Sequence, residues 1–269
     1  AEGVSALYAG IDAPRVLTDL RTAEMIKYVS NTFLATKVSF INEIARLCER
    51  LGVDVDVVAH GASLDPRVGD KYFKPGVGYG GSCLPKDVAA LHHTGESVGL
   101  TMRLLSAVQE VNVSQKKHVV NAIRGIVGPL EGLTLAAWGV TFKSGSEDLR
   151  ESPAVDIIGL LRNEGAFVRV YDPSLREDRG LPIADEVCKS ALDAARGADC
   201  VAILTDWPEF RDIDLQELRA TMSGAGLYDG RDMLDRAAVE AVGLTYAGVG
   251  RAPTGSRNGR NGNGVGTAK

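Results

Sequence analysis

The sequence predicts two architectures in tandem: an α-helical domain over residues 22–124, then a doubly wound α/β domain with a parallel sheet over residues 130–250. Two observations carry this expectation. The hydrophobic period is helical through the first half of the chain, and near Leu133 it gives way to short apolar runs separated by helical segments. With 269 residues and 45% apolar content, the chain can build two substantial cores.

The elements follow in order. Residues 1–21, opening in "AEGVSALYAG", read as a connecting segment. From residue 22 to 51, apolar residues at Ile26, Val29, Phe33, Leu34, Val38, Ile41, Ala45 and Cys48 keep helical spacing. This predicts a single helix on the order of 45 Å long, with Gly52 as its stop. "DVDVVAHGA" reads as a short second helix, "LPKDVAALHHTG" as a third with Pro85 in its first turn, and a fourth runs from about Met102 through "QKKHVVNAIRGIV". The runs "LTLAAWGV", "AFVRVYD", "CVAILTD" and "AGLYDG" are then strands, alternating with helices such as "AVDIIGLLRNEG". Residues 251–269 are Gly/Asn-rich with four basic and no acidic residues, which predicts a disordered tail or, as the sharper alternative, an anion-binding arm.

Bulk properties exclude several classes of function. A net charge of -5 suggests neither nucleic acid nor an anionic membrane as a partner. No apolar run approaches a membrane span or a signal segment. Four cysteines without metal-type spacing (Cys48, Cys83, Cys188, Cys200) point to reduced thiols and a cytoplasmic protein, with no metal site.

Chemistry concentrates in "KPGVGYGGSCLPKD", residues 74–87. Gly76, Gly78 and Gly81 spell the dinucleotide-loop pattern, which works only between a buried strand and a helix. The preceding "LDPRVGDKYFKP" is charged and contains no strand-length apolar run, a context that disfavours the dinucleotide reading. Cys83 lies just outside a helix N-terminus with Lys86 nearby, a position that favours a thiolate. The motif alone leaves open a buried structural cysteine with Asp87 as a first-turn carboxylate. On the long helix, Lys27 and Asn31 are four apart and share a face. An ammonium, an amide, a thiol and a carboxylate together suit a developing oxyanion and its proton.

The segments "TAEMIKYVSNTFLATKVSFINEIA", "DPRVG", "GVGYGGSCLPKD", "GVTFKSGSEDLRESPA" and "YDGRDML", in this order, resemble the UDP-glucose/GDP-mannose dehydrogenase family, most of all its UDP-glucose enzymes. The resemblance runs over about residues 15–250 and implies a helical dimerisation domain followed by a Rossmann-like nucleotide-sugar domain. It also implies an NAD-dependent, four-electron oxidation of a sugar C6 alcohol to a carboxylate. Carried over by residue, it makes Cys83 the nucleophile, gives the proton and the oxyanion to Lys27 and Asp87, and lets Asn31 help through water. Lys74, Pro75, Gly76, Val77, Gly78, Tyr79 and Gly80 would lie along the nucleotide sugar, with Lys27, Asn31, Phe142, Lys143 and Arg231 as further contacts. Cys83, Lys86 and Arg150 would face the cofactor, and Arg67 would reach into the site of a partner subunit in a homodimer built on the long helix.

Family members carry an NAD-binding domain ahead of that helix, and the sequence opens in the segment leading into it. Three readings follow. The chain is the substrate-binding half of such an enzyme, active when joined to a separate NAD-binding half; or a non-catalytic nucleotide-sugar-binding or dimerisation subunit; or a truncated product without function.

Overall fold

The computed structural model describes residues 2–175 and 181–252. Five helices come first: α1 (Glu2–Leu7), α2 (Leu20–Leu51), α3 (Val55–Ser63), α4 (Leu84–Ser97) and α5 (Arg103–Val127). The α/β half follows as β1 (Thr134–Trp138), α6 (Pro153–Asn163), β2 (Phe167–Tyr171), β3 (Glu186–Val187), α7 (Ala191–Ala195), β4 (Cys200–Ile203), α8 (Leu215–Thr221), β5 (Gly226–Asp229), α9 (Arg236–Ala241) and β6 (Thr245–Gly248).

The long helix forms as its periodicity predicts, with Asp19 as its N-cap accepting from the Thr22 N–H at 3.1 Å and Gly52 closing it in the left-handed region. Its apolar residues divide between two faces. Ala35, Ile41, Ala45 and Cys48 are buried, whereas Ile26, Val29 and Phe33 are about half exposed, at 49%, 52% and 62%. The face packed inside this chain instead carries Asn31, Thr32 and Asn42, all buried. Sequence periodicity detects an apolar stripe, but it does not say which stripe the rest of the chain covers. The segment expected to be a plain connector contains α1.

Helix α5 joins the two halves. Its Leu105 and Val108 pack with Ala35, Tyr79 and Val88 of the helical half, while Val119, Val120 and Ile123 enter the core of the sheet with Leu135, Ile157 and Val168. The sheet is parallel throughout in the order β3-β2-β1-β4-β5-β6. β3 and β6 are additions to the four strands legible in the sequence; both are edge strands, β3 of two residues and β6 with the sequence TYAG, which is not a continuous apolar run. On the opposite face Ala136, Trp138, Val201, Leu227 and Tyr246 pack against Phe210 and Leu218. Covering both faces explains why the central strands read as continuous apolar runs.

At the junction of the halves, Arg251 pairs with Asp56 of α3 and, at 2.6 Å, with Asp232 after β5. The tail expected from residue 251 therefore begins with an anchored arginine, and residues 253–269 lie outside the described residues.

Ile123 is fully buried where α5 meets the sheet. Ile123→Ala should lower stability by about 2–5 kcal/mol, measured as a lowered midpoint in urea unfolding.

Candidate functional site

In an open parallel sheet, ligands collect at the carboxyl ends of strands beside the point where strand order reverses, here between β1 and β4. The loops leaving β1 and β5 supply Phe142, Lys143 and Arg231 to that edge, opposite the first half of α2 and the start of α4. Between them is a cavity of about 470 Å³ lined by Lys27, Asn31, Lys74, Gly76, Gly78, Tyr79, Gly80, Cys83, Phe142, Lys143 and Arg231. Gly81, the third glycine of the loop pattern, lines it too, as do Ser82, Tyr72, Val38 and Leu84, to which the sequence assigns no site role.

Spacing of four on α2 brings Lys27 to Asn31, and the Lys27 Nζ donates to Asn31 Oδ1 at 2.9 Å. Asn31 Nδ2 in turn donates to Asp87 Oδ2 at 2.5 Å across 56 residues of chain, and Lys86 Nζ donates to the other carboxylate oxygen. Asp87 is 1% exposed. Burial pushes its carboxyl pKa up, but the hydrogen bonds from Lys86 and Asn31 and the charges of Lys86 and Lys27 outweigh burial and hold it below the ordinary carboxylate range. The bond to Asp87 raises the Lys86 ammonium correspondingly.

Cys83 is the N-cap residue of α4, its side chain makes no cap hydrogen bond, and Pro85 occupies the first turn. Of the four free thiols it alone is exposed. Burial pushes the Cys200 thiol up to about 12 and Cys188 up to about 11. The alternative of a buried structural cysteine at position 83 is thereby corrected: the helix start leaves the thiol open, next to Ser82 Oγ at 3.8 Å.

Each loop that reaches the cavity is held from behind by a buried polar side chain. In the glycine segment, Gly76 N–H donates to Asn42 Oδ1 at 2.8 Å and its carbonyl accepts from Gln115 Nε2 at 2.9 Å. Tyr79 N–H donates to Asn112 Oδ1 at 2.9 Å and its carbonyl accepts from Asn112 Nδ2 at 3.1 Å. Three glycines of this segment are sterically required. At Gly78 (φ 120°) a Cβ would stand 2.8 Å from Asn112 Oδ1, at Gly81 (φ 83°) one would stand 2.8 Å from the Phe142 ring, and at Gly80 one would collide with the Glu151 carbonyl oxygen. Behind Phe142, Asp172 Oδ2 accepts from Val140 N–H at 2.7 Å, Thr141 N–H at 3.0 Å and Trp207 Nε1 at 3.1 Å. Ser152 is the N-cap of α6 as its sequence suggests, yet its hydroxyl donates to the Val140 carbonyl at 2.7 Å and not to the helix. Behind Arg231, Asp229 accepts from the N–H groups of Arg231, Met233 and Leu234 at 2.7–3.1 Å, while burial raises its own pKa. The Arg231 Nε donates to the Leu204 carbonyl at 2.8 Å.

Some residues expected at the site stand elsewhere. Pro75 and Val77 are buried beneath the loop, and Val77 belongs to the core of the sheet. The Arg67 side chain is 88% exposed, pairs with Asp65 at 2.6 Å and does not line the cavity. Arg150 is 71% exposed with its Nε and Nη2 on Asp148, whose carboxyl is thereby lowered to about 2. Asn42, Asn112, Gln115, Asp172 and Asp229 carry no role in the sequence reading. The sequence signal for two of them is a pair of amides three residues apart on α5, between apolar Val108 and Val119. Among the described residues, no group of three or more His, Cys, Asp or Glu could hold a metal ion, and no helix is long and apolar enough to cross a membrane.

Comparison with known proteins adds an independent line. Residues 21–114 match the central domain of the UDP-glucose/GDP-mannose dehydrogenase family, and residues 136–236 match that family's UDP binding domain. UDP-glucose 6-dehydrogenase TuaD of Bacillus subtilis is 39% identical over 250 residues, 92% of this chain and 54% of the relative. Among solved structures, a UDP-glucose dehydrogenase from Pyrobaculum islandicum superposes with a TM-score of 0.82 at 35% identity, covering 93% of this chain and 57% of that one. A UDP-D-ManNAc dehydrogenase from Pyrococcus horikoshii gives the same TM-score at 29% identity, covering 93% and 57%. The chain thus spans about half the length of the proteins it matches.

The Asp87 network generates a pH prediction. Because its folded pKa is depressed, the carboxylate contributes stability above its unfolded pKa and loses it as pH falls through the folded value. Asp87→Asn removes the charge and keeps one acceptor oxygen, so its NH2 must face one of the two donors, Asn31 Nδ2 or Lys86 Nζ, which should cost roughly 1–3 kcal/mol at pH 7. In paired urea titrations, the gap between wild type and variant should shrink as the pH is taken below the carboxylate range.

Proposed function

Since this chain belongs to the UDP-glucose/GDP-mannose dehydrogenase family, we propose that it is the substrate-binding, nucleophile-bearing part of an NAD-dependent enzyme that oxidises the C6 alcohol of UDP-glucose to the carboxylate of UDP-glucuronate. One observation carries the reading: the exposed thiol, Cys83, opens into the same cavity as Lys27 and Asn31, whose amide is chained to buried Asp87. UDP-glucose is favoured over an N-acetylated sugar because the relative named for UDP-glucose is 39% identical, against 29% for the structure named for UDP-D-ManNAc.

The residues divide the work by chemistry. Lys143 and Arg231 offer cations to the diphosphate, and the glycine segment offers backbone to the sugar. Lys27 stabilises the alkoxide formed when the C6 hydroxyl gives up its proton, which Asp87 takes up through a water that Asn31 orients. At the aldehyde stage the Cys83 thiolate adds to the carbonyl carbon, and the oxyanion takes a proton to give a thiohemiacetal. Its oxidation leaves a thioester, and attack by water expels the thiolate and frees the acid.

NAD, when bound, supplies the acceptor for both pairs of electrons. Lys86 and Arg150 would flank it, as the family resemblance implies: both are exposed cations, Lys86 is three residues beyond Cys83, and Arg150 engages Asp148 through Nε and Nη2 and keeps Nη1 for a pyrophosphate oxygen. A homodimer through α2 is part of the reading, supported by exposed Ile26, Val29, Phe33 and Phe40 on that helix; Arg67 then serves the partner's cavity. A cytoplasmic setting belongs to the same reading, from four cysteines without metal-type spacing in an enzyme-like composition.

Titration calorimetry of the chain with UDP-glucose, GDP-mannose and UDP-N-acetylmannosamine tests the reading. UDP-glucose should bind most tightly, and Arg231→Ala should weaken it at least about 10-fold, roughly 1.4 kcal/mol. Failure of a folded chain to bind any of the three would overturn it and favour a dimerisation subunit. Bound UDP-glucose should also slow alkylation of Cys83 by iodoacetamide, read by mass spectrometry; unchanged labelling would remove Cys83 from the substrate site.

A further inference from the structure

The chemistry above makes no use of the three buried amides behind the glycine segment, yet they determine its path. We infer that Asn42, Asn112 and Gln115 are positioning residues for the sugar-binding loop, acting through the backbone of Gly76 and Tyr79 and touching no reacting atom; this rests on the reading of the cavity as a nucleotide-sugar site.

A side-chain amide presents an N–H donor and a carbonyl acceptor side by side in one plane, so it can replace the neighbouring strand that a loop lacks. Asn112 does this for Tyr79, taking its N–H at 2.9 Å and giving to its carbonyl at 3.1 Å. Asn42 and Gln115 divide the same task at Gly76, at 2.8 and 2.9 Å. Asn42 and Gln115 are fully buried and Asn112 is 7% exposed, so water does not compete for these bonds.

The orientation of Gln115 is itself determined. Arg46 Nε can only donate, and it donates to Gln115 Oε1 at 2.8 Å, which turns Nε2 to the Gly76 carbonyl. Arg46 is tied in turn to Ser114 Oγ at 3.0 Å and the Val111 carbonyl at 3.2 Å.

Two consequences follow for ligand binding. With Gly76 and Tyr79 satisfied from behind, the peptide groups of Val77 and Gly78 are those of this stretch with no hydrogen bond among the described residues, and Gly78 lines the cavity. Of the two, the Gly78 peptide is the one left to meet sugar hydroxyls, because Val77 is buried beneath the loop. Asn112 and Gln115 also sit on α5, the helix that enters the core of the sheet, so the loop is held in register with Phe142 and Arg231 of the other half.

The test uses the whole chain. Hydrogen exchange by mass spectrometry on the peptide covering residues 74–83, and calorimetric Kd values for UDP-glucose and for UDP, are compared among wild type, Asn112→Ala and Gln115→Ala. Ser39→Ala is the control, because its hydroxyl ties α2 to the Val108 carbonyl of α5 at 3.0 Å without touching the loop. Positioning predicts exchange about 10-fold faster in the 74–83 peptide alone. It also predicts UDP-glucose binding about 10-fold weaker with UDP less affected, and no such changes in Ser39→Ala.

Unchanged loop exchange in both alanine variants overturns the inference, as does acceleration spread equally over α2, α4 and α5, which marks a merely structural role. Should the alanine variants not fold, Asn112→Leu and Gln115→Met remove the amide hydrogen bonds while keeping most of the packed volume, and are judged by the same readouts. Should wild type bind no UDP-glucose, the functional reading fails, while the exchange comparison still decides the clamp.

Discussion

The cavity exists because loops from two differently built halves hold fixed backbone paths against one another. None of these loops has a neighbouring strand to satisfy its peptide groups, and burying them unpaired would cost about 1–3 kcal/mol each. The chain meets this constraint in the same way three times, with a buried polar side chain that collects several backbone groups: Asn112 for Tyr79, Asp172 for Val140 and Thr141, and Asp229 for Arg231, Met233 and Leu234. Remove those partners and the residues that meet a ligand have no defined place.

Helix α5 makes the arrangement coherent across the halves. One stretch of it packs with α2 and the loop through Leu105 and Val108, and the next enters the sheet through Val119, Val120 and Ile123. Because a helix is stiff over a few turns, the glycine segment and the carboxyl edge of the sheet share a single frame. The Arg251 pairs with Asp56 and Asp232 close the junction from the other side, near the turn that bears Arg231. Partly exposed ion pairs are worth little singly, so the apolar packing of α5 does more to hold the halves together.

Electrostatics then separates two kinds of group at the site. Asp87 is buried but charged, because Asn31 and Lys86 donate to it. Cys188 and Cys200 are buried and their thiols are pushed toward the neutral form, whereas Cys83 sits at an open helix start. Helix geometry and burial thus leave one thiol open to solution and hold one buried carboxylate in its charged form.

By itself the sequence determined the order of helical and α/β halves, the long helix, the four central strands, the helix start at Pro85 and the Lys27, Asn31, Cys83, Asp87 set, since period, capping residues and motif spacing are local properties of the chain. Only the tertiary structure decided which apolar stripe of α2 lies inside, because apolar residues occupy two faces of that helix and packing alone distinguishes them. It also decided that Val77 supports the loop from beneath while Gly78 faces the cavity, and that Asn42, Asn112 and Gln115 converge on residues 76–79. Those amides are 33 to 39 residues from their partners, and no local pattern encodes a hydrogen bond closed by the meeting of two helices and a loop.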